Sequence, residues 1–269
     1  MTNTGPGGHP VLRGDELREA LLIPGGFWRD VRVVAETGST NLDLLAAAAD
    51  GAADPAVLVA ESQTAGRGRM GRQWVSPPGA ALTFSVLLRP ATVPQASRGW
   101  VPLLAGVAAA RAVRAGTGVD ASLKWPNDVQ VNGAKLAGIL AEQAGDAIVV
   151  GIGMNVCSGR DELPVVTATS LALEGAGDVA AGPLLIAVLG ELGRWYQDWA
   201  GARGDAVACG LYRQYQALCA TLGREVRVSL PGGRTVTGVA AGVDQTGRLV
   251  VTSAAGPVPV SAGDVIHVR

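Results

Sequence analysis

Residues 66–72 read Gly-Arg-Gly-Arg-Met-Gly-Arg, and Trp74 follows one residue later. Glycines let backbone N–H groups come close to an anion, and guanidinium groups offer forked donors to carboxylate and phosphate. Gly66, Arg67, Gly68, Arg69 and Arg72 can together neutralise two anions that repel each other. That repulsion is the obstacle to joining a carboxylate to an α-phosphate. The same composition suits an RGG-like segment that binds nucleic acid, or a solvated loop. Apolar runs on both sides argue against a free tail, and Trp74 is a large ring able to fold over a ligand.

A second cluster is Lys124-Trp125-Pro126-Asn127-Asp128. Of 22 basic residues only two are lysines, Lys124 and Lys135, and both fall within one twelve-residue stretch. Lysine is a compact point charge on a flexible stem, which arginine does not replace, so these positions point to a demand for an ammonium. Asn127 can read a base or a phosphate. Asp128 can hold Mg²⁺, which is often bound by one or two carboxylates plus substrate phosphates. An ordinary turn uses Pro-Asn-Asp too; the neighbouring tryptophan and the second lysine weigh toward a site.

Two quieter sets complete the inventory. Ser39, Thr40 and Asn41 follow Gly38 where a helix begins, and suit either a polar uncharged ligand or simple N-capping. Gly151-Ile152-Gly153-Met154-Asn155 ends an apolar run with two glycines and an amide, which permits close packing or close approach of a flat ligand.

What is missing narrows the chemistry. The two histidines, His9 and His267, sit at opposite ends of the chain, which disfavours a Ser-His-Asp or Cys-His site and a His-ligated zinc. There is no P-loop pattern, and Gly151-Ile152-Gly153 lacks the third glycine of a dinucleotide fingerprint. Cys157, Cys209 and Cys219 form no C-x-x-C pair and give no complete disulfide framework. A net charge of −1 marks no nucleic-acid binder. No secretory leader and no apolar run long enough to span a bilayer are legible, so the expectation is a cytoplasmic protein without a membrane partner.

The elements that must carry these residues follow from pattern. A length of 269 residues with 48% hydrophobic residues suits one large domain and a small one, or two modest ones. Residues 1–30 form an N-terminal segment, disordered over 1–10, with a short helix over 15–22. Strands are expected at 31–35, 56–60 and 82–88, helices at 41–49 and 100–115, and a loop at 64–74. Extended segments at 123–125, 129–131, 136–142 and 148–152 are separated by Asn132-Gly133 and Gly145-Asp146, the signature of antiparallel hairpins. Residues 183–201 and 205–220 read as helices and complete a domain over 31–221. Short β runs with Gly/Pro turns over 222–269 predict a small β-barrel.

The ordered set resembles the motif series of biotin–protein ligases. Gly66 to Arg72 with Trp74, Lys124 to Asp128, Lys135-Leu136-Ala137-Gly138-Ile139-Leu140 and Gly151 to Asn155 carry the resemblance, with Gly38 to Asn41 and Glu61-Ser62-Gln63-Thr64 beside them. It implies an α+β fold: a mixed-sheet catalytic domain of the biotin/lipoate ligase type, related to class II aminoacyl-tRNA synthetases, with a small C-terminal β-barrel. It further implies ATP, Mg²⁺ and biotin as ligands, biotinyl-5'-AMP as intermediate, and a lysine of the biotin carrier domain of acyl-CoA carboxylases as acceptor. By that resemblance Ser39, Thr40, Asn41 and Gln63 contact the ureido ring, Gly66, Arg67 and Gly68 cover biotin, and Lys135, beside Gly138, approaches the carboxylate and α-phosphate. Arg69 and Arg72 face the phosphates. Trp74 closes over the adenylate, Asn127 and Asn155 help bind the nucleotide, and Lys124 and Asp128 belong to the phosphate and metal region.

Only about 35 residues precede these motifs, too few for the DNA-binding domain that some family members carry, so the monofunctional kind is expected, as a monomer or weak homodimer. The competing readings are a lipoate or octanoate ligase on the related scaffold, and a nucleic-acid-binding module built on the arginine loop.

Overall fold

The computed structural model describes residues 9, 12–230 and 232–268; apart from His9, the opening segment expected to be disordered lies outside the described residues. Seven strands build the main sheet: β1 (Asp30–Thr37), β2 (Ala56–Gln63), β3 (Ala81–Leu88), β4 (Ser122–Lys124), β5 (Asp128–Val131), β6 (Ala134–Ala144) and β7 (Ala147–Asn155). Their order is β1-β2-β3-β7-β6-β5-β4, with β1 parallel to β2 and every other pair antiparallel. Both expected hairpin turns form. Asn132 and Gly133 take φ of 50° and 84°, the pair of positive values that a two-residue turn needs to match the strand twist.

Successive side chains on a strand face opposite sides, and here the two sides bury against different helices. One side carries Val57, Val59, Phe84, Val86, Val150 and Ile152 into the main core. That core is closed by α3 (Val101–Thr117), α4 (Ala181–Gly201) and α5 (Leu211–Leu218), with α1 (Gly14–Leu21) against β1 and α4. The helix α3 has Pro102 in its first turn and stops at Gly118, which takes the left-handed φ of 73° open to glycine. The helix expected over 205–220 begins only at Leu211, because Asp205 turns back to accept from the backbone N–H of Val207 and Ala208.

The other side of the sheet is covered by α2 (Thr40–Ala49) alone, over Ala56, Leu58, Leu87, Ala147 and Val149. Beyond that patch the same faces change character. Ser85 and Thr83 follow Leu87 on β3, and Gly151 and Gly153 follow Val149 on β7, in register with one another. Apolar positions give way to small and polar ones, and this uncovered part of the sheet becomes the floor of a cleft.

The C-terminal segment forms a second sheet: β8 (Glu225–Ser229), β9 (Thr235–Val243), β10 (Leu249–Ser253), β11 (Gly256–Val260) and β12 (Asp264–His267), in the order β11-β10-β9-β8-β12. The expected β-barrel is overturned: the sheet stays open, with β11 and β12 as two separate edges. Residues two apart on a strand point their N–H the same way, and proline has none. Pro257 and Pro259 therefore leave one side of β11 short of donors, and that side cannot pair with β12 to close the ring.

Candidate functional site

The cleft over the small-residue floor is lined by Ser39, Thr40, Asn41, Gln63, Arg67, Gly68, Arg69, Arg72, Trp74, Asn127, Lys135 and Gly138, with Thr83, Phe84, Ile139, Leu140, Gly151, Ile152 and Gly153 beneath. Seven separate stretches of sequence thus meet at one place. A second cleft, between residues 203–207 and the turn at 243–245, holds none of the expected site residues.

One end of the cleft is neutral. Ser39 is the residue before α2, yet its side chain makes no capping bond; it is 2% exposed and lines the cleft instead. Thr40 N donates to Gln63 Oε1 at 2.8 Å, and its Oγ1 lies 3.1 Å from the same oxygen. Oγ1 donates to Ser85 Oγ at 2.7 Å, which leaves the Ser85 hydroxyl to donate to Asn41 Oδ1 at 2.6 Å. Asn41 lies so close over β7 that a methyl at Gly151 would sit 2.2 Å from its Oδ1.

The other end is cationic. Residues 66–74 form a small hairpin, not an open loop: Gly68 N donates to Arg72 O, Trp74 N donates to Gly66 O, and Arg67 bridges Gln73. Gly66 is buried, and a side chain there would strike Trp74 O at 2.3 Å. Met70 at the tip takes a left-handed φ of 57° and is 60% exposed. The hairpin holds Arg69 against Asn127, whose Oδ1 accepts at 2.9 Å while its Nδ2 donates to Ile139 O. Burial lowers the pKa of Arg69 from its ordinary value, with Asp264 and Asp128 opposing the shift and Arg72 adding to it. Arg72 itself pairs with Asp264 on β12.

Lys135 stands between the two ends. A register shift between β5 and β6 pairs Gln130 with Lys135 and Val129 with Ala137, leaving Leu136 as an extra residue. Such a bulge re-aims side chains. It brings Lys135 onto the face of Gly138, where a methyl would lie 3.1 Å from Lys135 Nζ. Asp128 lies opposite Gly138, and its Oδ1 receives Nζ at 2.7 Å. The backbone of Lys135 is pinned on its outer side by Thr167 and Thr169.

The Trp74 ring lies over the glycines: methyls at Gly153 and Gly138 would meet it at 2.3 and 3.4 Å. Its Nε1 is buried without a protein partner, an unspent donor inside the cleft. Asn155 is buried on the same face of β7, with Nδ2 donating to Thr169 O at 2.9 Å, but does not line the cleft. Lys124 and Asp128 lie to one side, around a small recess under Tyr215. Ser85, Thr83 and Glu142 were missed from sequence. The signal was present: Thr83 and Ser85 are two apart within an otherwise apolar strand.

Residues 37–156 match the family described as biotin/lipoate A/B protein ligase, and residues 221–268 match the biotin protein ligase C-terminal domain. The chain is 43% identical over 264 residues to a biotin–[acetyl-CoA-carboxylase] ligase of Mycobacterium tuberculosis, covering 97% of each. It is 30% identical to the bifunctional ligase/repressor BirA of Bacillus spizizenii, over 87% of this chain and 71% of that one. Among solved structures it resembles the biotin protein ligase from Aquifex aeolicus in complex with biotin and ATP, with a TM-score of 0.74 and 29% identity over 90% of this chain and 99% of that one. With likeness at this level running nearly end to end, and with both domains matched in order, the chain belongs to the biotin protein ligase family.

Proposed function

We infer that this protein is an ATP-dependent ligase that activates biotin as biotinyl-5'-AMP and transfers it to a lysine of a biotin carrier domain. The observation that carries this reading is the polarity of the cleft. A neutral hydrogen-bonding end and a guanidinium-rich end are separated by one lysine, Lys135, on a glycine floor. That arrangement fits a ligand with an uncharged polar head, an apolar chain and a terminal carboxylate. A lipoyl group has no polar head to hydrogen-bond with Ser39, Thr40, Asn41 and Gln63, so it would desolvate the polar end of the cleft and gain no new bonds there.

In this reading Ser39, Thr40, Asn41 and Gln63 receive the ureido ring, and the hairpin from Gly66 covers it. Lys135 meets the biotin carboxylate and the α-phosphate together, Arg69 and Arg72 neutralise phosphate charge, and Asn127 holds Arg69 in place. Trp74 and Asn155 serve the nucleotide. The carboxylate oxygen attacks the α-phosphorus, the bond to the bridging oxygen breaks, and pyrophosphate leaves. The acceptor lysine amine then attacks the acyl carbon, and AMP leaves with the electron pair. The protein supplies position and charge complementarity to both steps; no covalent enzyme intermediate is needed.

Magnesium enters this scheme with the nucleotide, as MgATP. Among the described residues no three or more His, Cys, Asp or Glu gather as a metal site, and an ion carried by the phosphates needs only one or two protein carboxylates. Asp128, which orients the Lys135 ammonium, is the carboxylate that would meet it.

Biotin-dependent exchange of pyrophosphate into ATP tests the reading. Exchange with biotin and none with lipoate or octanoate is the expected result; exchange with lipoate instead would replace the substrate.

A further inference from the structure

Glu142 lies on β6, on the face shared by Gly138 and Leu140, just outside the cleft lining. Its carboxylate is held from two directions. Arg67 NH1 approaches Oε1 at 3.0 Å and Oε2 at 3.3 Å. Asn41 Nδ2 donates to Oε2 at 3.0 Å, and also to Leu140 O at 3.2 Å. Arg67 belongs to the covering hairpin and Asn41 to the buried floor. Through Asn41, the contact continues to Ser85, Thr40 and Gln63. A single carboxylate therefore ties the cover to the whole polar end of the cleft.

We propose that Glu142 is a positioning residue that latches the 66–74 hairpin over the bound acyl group. This rests on the reading that the neutral end takes the ureido head of biotin. An ionised carboxylate accepts only, so it fixes Asn41 with Nδ2 toward Glu142 and Oδ1 toward Ser85. The same carboxylate restrains Arg67 by charge. The side chains of Arg67 and Glu142 are 42% and 22% exposed. Ion pairs this open add little to global stability, so the effect falls on the hairpin's closure and not on the fold. Glu142 touches neither the phosphate end nor Lys135, which separates its role from charge neutralisation.

The test is the release rate of preformed biotinyl-adenylate, alongside biotin-dependent pyrophosphate exchange and thermal unfolding. In Glu142→Gln, release speeds up about tenfold, the scale of one lost charge-assisted hydrogen bond. Its exchange kcat falls less than threefold, and its midpoint of unfolding stays that of the wild type. Arg67→Gln releases adenylate faster by a similar factor, and the double variant is no faster than either single one, because both break the same latch. Wild-type retention in Glu142→Gln, multiplicative effects in the double variant, or faster release only alongside a lowered unfolding midpoint would each overturn the proposal. A wild-type protein without biotin-dependent exchange would remove the underlying reading; a wild type that exchanges normally confines any failure to Glu142.

Discussion

Lys135 is the residue on which the proposed chemistry turns. Its ammonium reaches the middle of the cleft, whereas Lys124 lies to one side. Replacing it with alanine removes the ammonium that the proposed mechanism sets against both reacting anions. Single-turnover adenylate formation in Lys135→Ala should fall roughly 100- to 1000-fold, the usual cost of losing a preorganised electrostatic group. Far-UV circular dichroism should be unchanged. Near-normal adenylation would remove Lys135 from the mechanism. Arg69→Ala should instead leak free biotinyl-adenylate, since the guanidinium held by Asn127 can no longer cover the anhydride; unchanged leakage would argue against that part. Much of this was legible from residue type, because two lysines among arginines and a tryptophan beside an arginine loop stand out without any structure. Thr83 and Ser85 left a mark, as two polar residues spaced by two in an apolar strand, but Glu142 did not. An ordinary glutamate acquires meaning only once strand register shows which face it shares.

That register is the work of particular elements. The bulge in β6 sets Lys135 on the face of Gly138, and the glycines of β7 make room for Asn41 and Trp74. A methyl at Gly151 would fall 2.2 Å from Asn41 Oδ1, so Gly151→Ala must push Asn41 off the floor. Biotin binding in that variant should weaken at least tenfold by calorimetry, with unfolding little affected; wild-type affinity would show that Asn41 does not shape the pocket. Alternating patterns and the Asn132-Gly133 turn made β5 and β6 readable from sequence. The bulge was not, because one extra residue leaves no mark on composition. In the C-terminal sheet the short strands were readable and their closure was not, since closure depends on which edges can pair. The last strand, β12, follows Ser-Ala-Gly and ends in His267, too short and mixed to declare itself.

The two sheets act as one molecule because their join is specific. The turn between β9 and β10 presents two carbonyls to two buried indoles: Trp100 Nε1 donates to Gln245 O at 3.1 Å, and Trp125 Nε1 donates to Gly247 O at 3.3 Å. Thr246 O lies where a methyl on Gly99 would come within 2.3 Å. Gly99→Ala should therefore cost about 1–3 kcal/mol as an overpacking substitution and lower the melting temperature by several degrees in scanning calorimetry; an unchanged melt would show the seat to be loose. On the opposite edge, β12 sends Asp264 to Arg72 in the site and His267 to Thr221. Burial, then Lys124 and Arg224, lower the pKa of His267 below its ordinary 6.5. The unfolded chain thus binds a proton that the folded protein resists, so this contribution to stability is full above about pH 6.5 and is lost as pH falls below it. His267→Gln should lose less stability between pH 7 and 5.5 than the wild type does, measured by denaturant titration; equal losses would place the acid sensitivity elsewhere. The central claim is tested most directly by incubating the protein with MgATP, a biotin carrier domain and equal amounts of biotin and lipoate, and weighing the carrier. An ATP-dependent gain of one biotinyl group is the predicted result; a lipoyl gain, or no gain with a carrier that other biotin ligases modify, would contradict it.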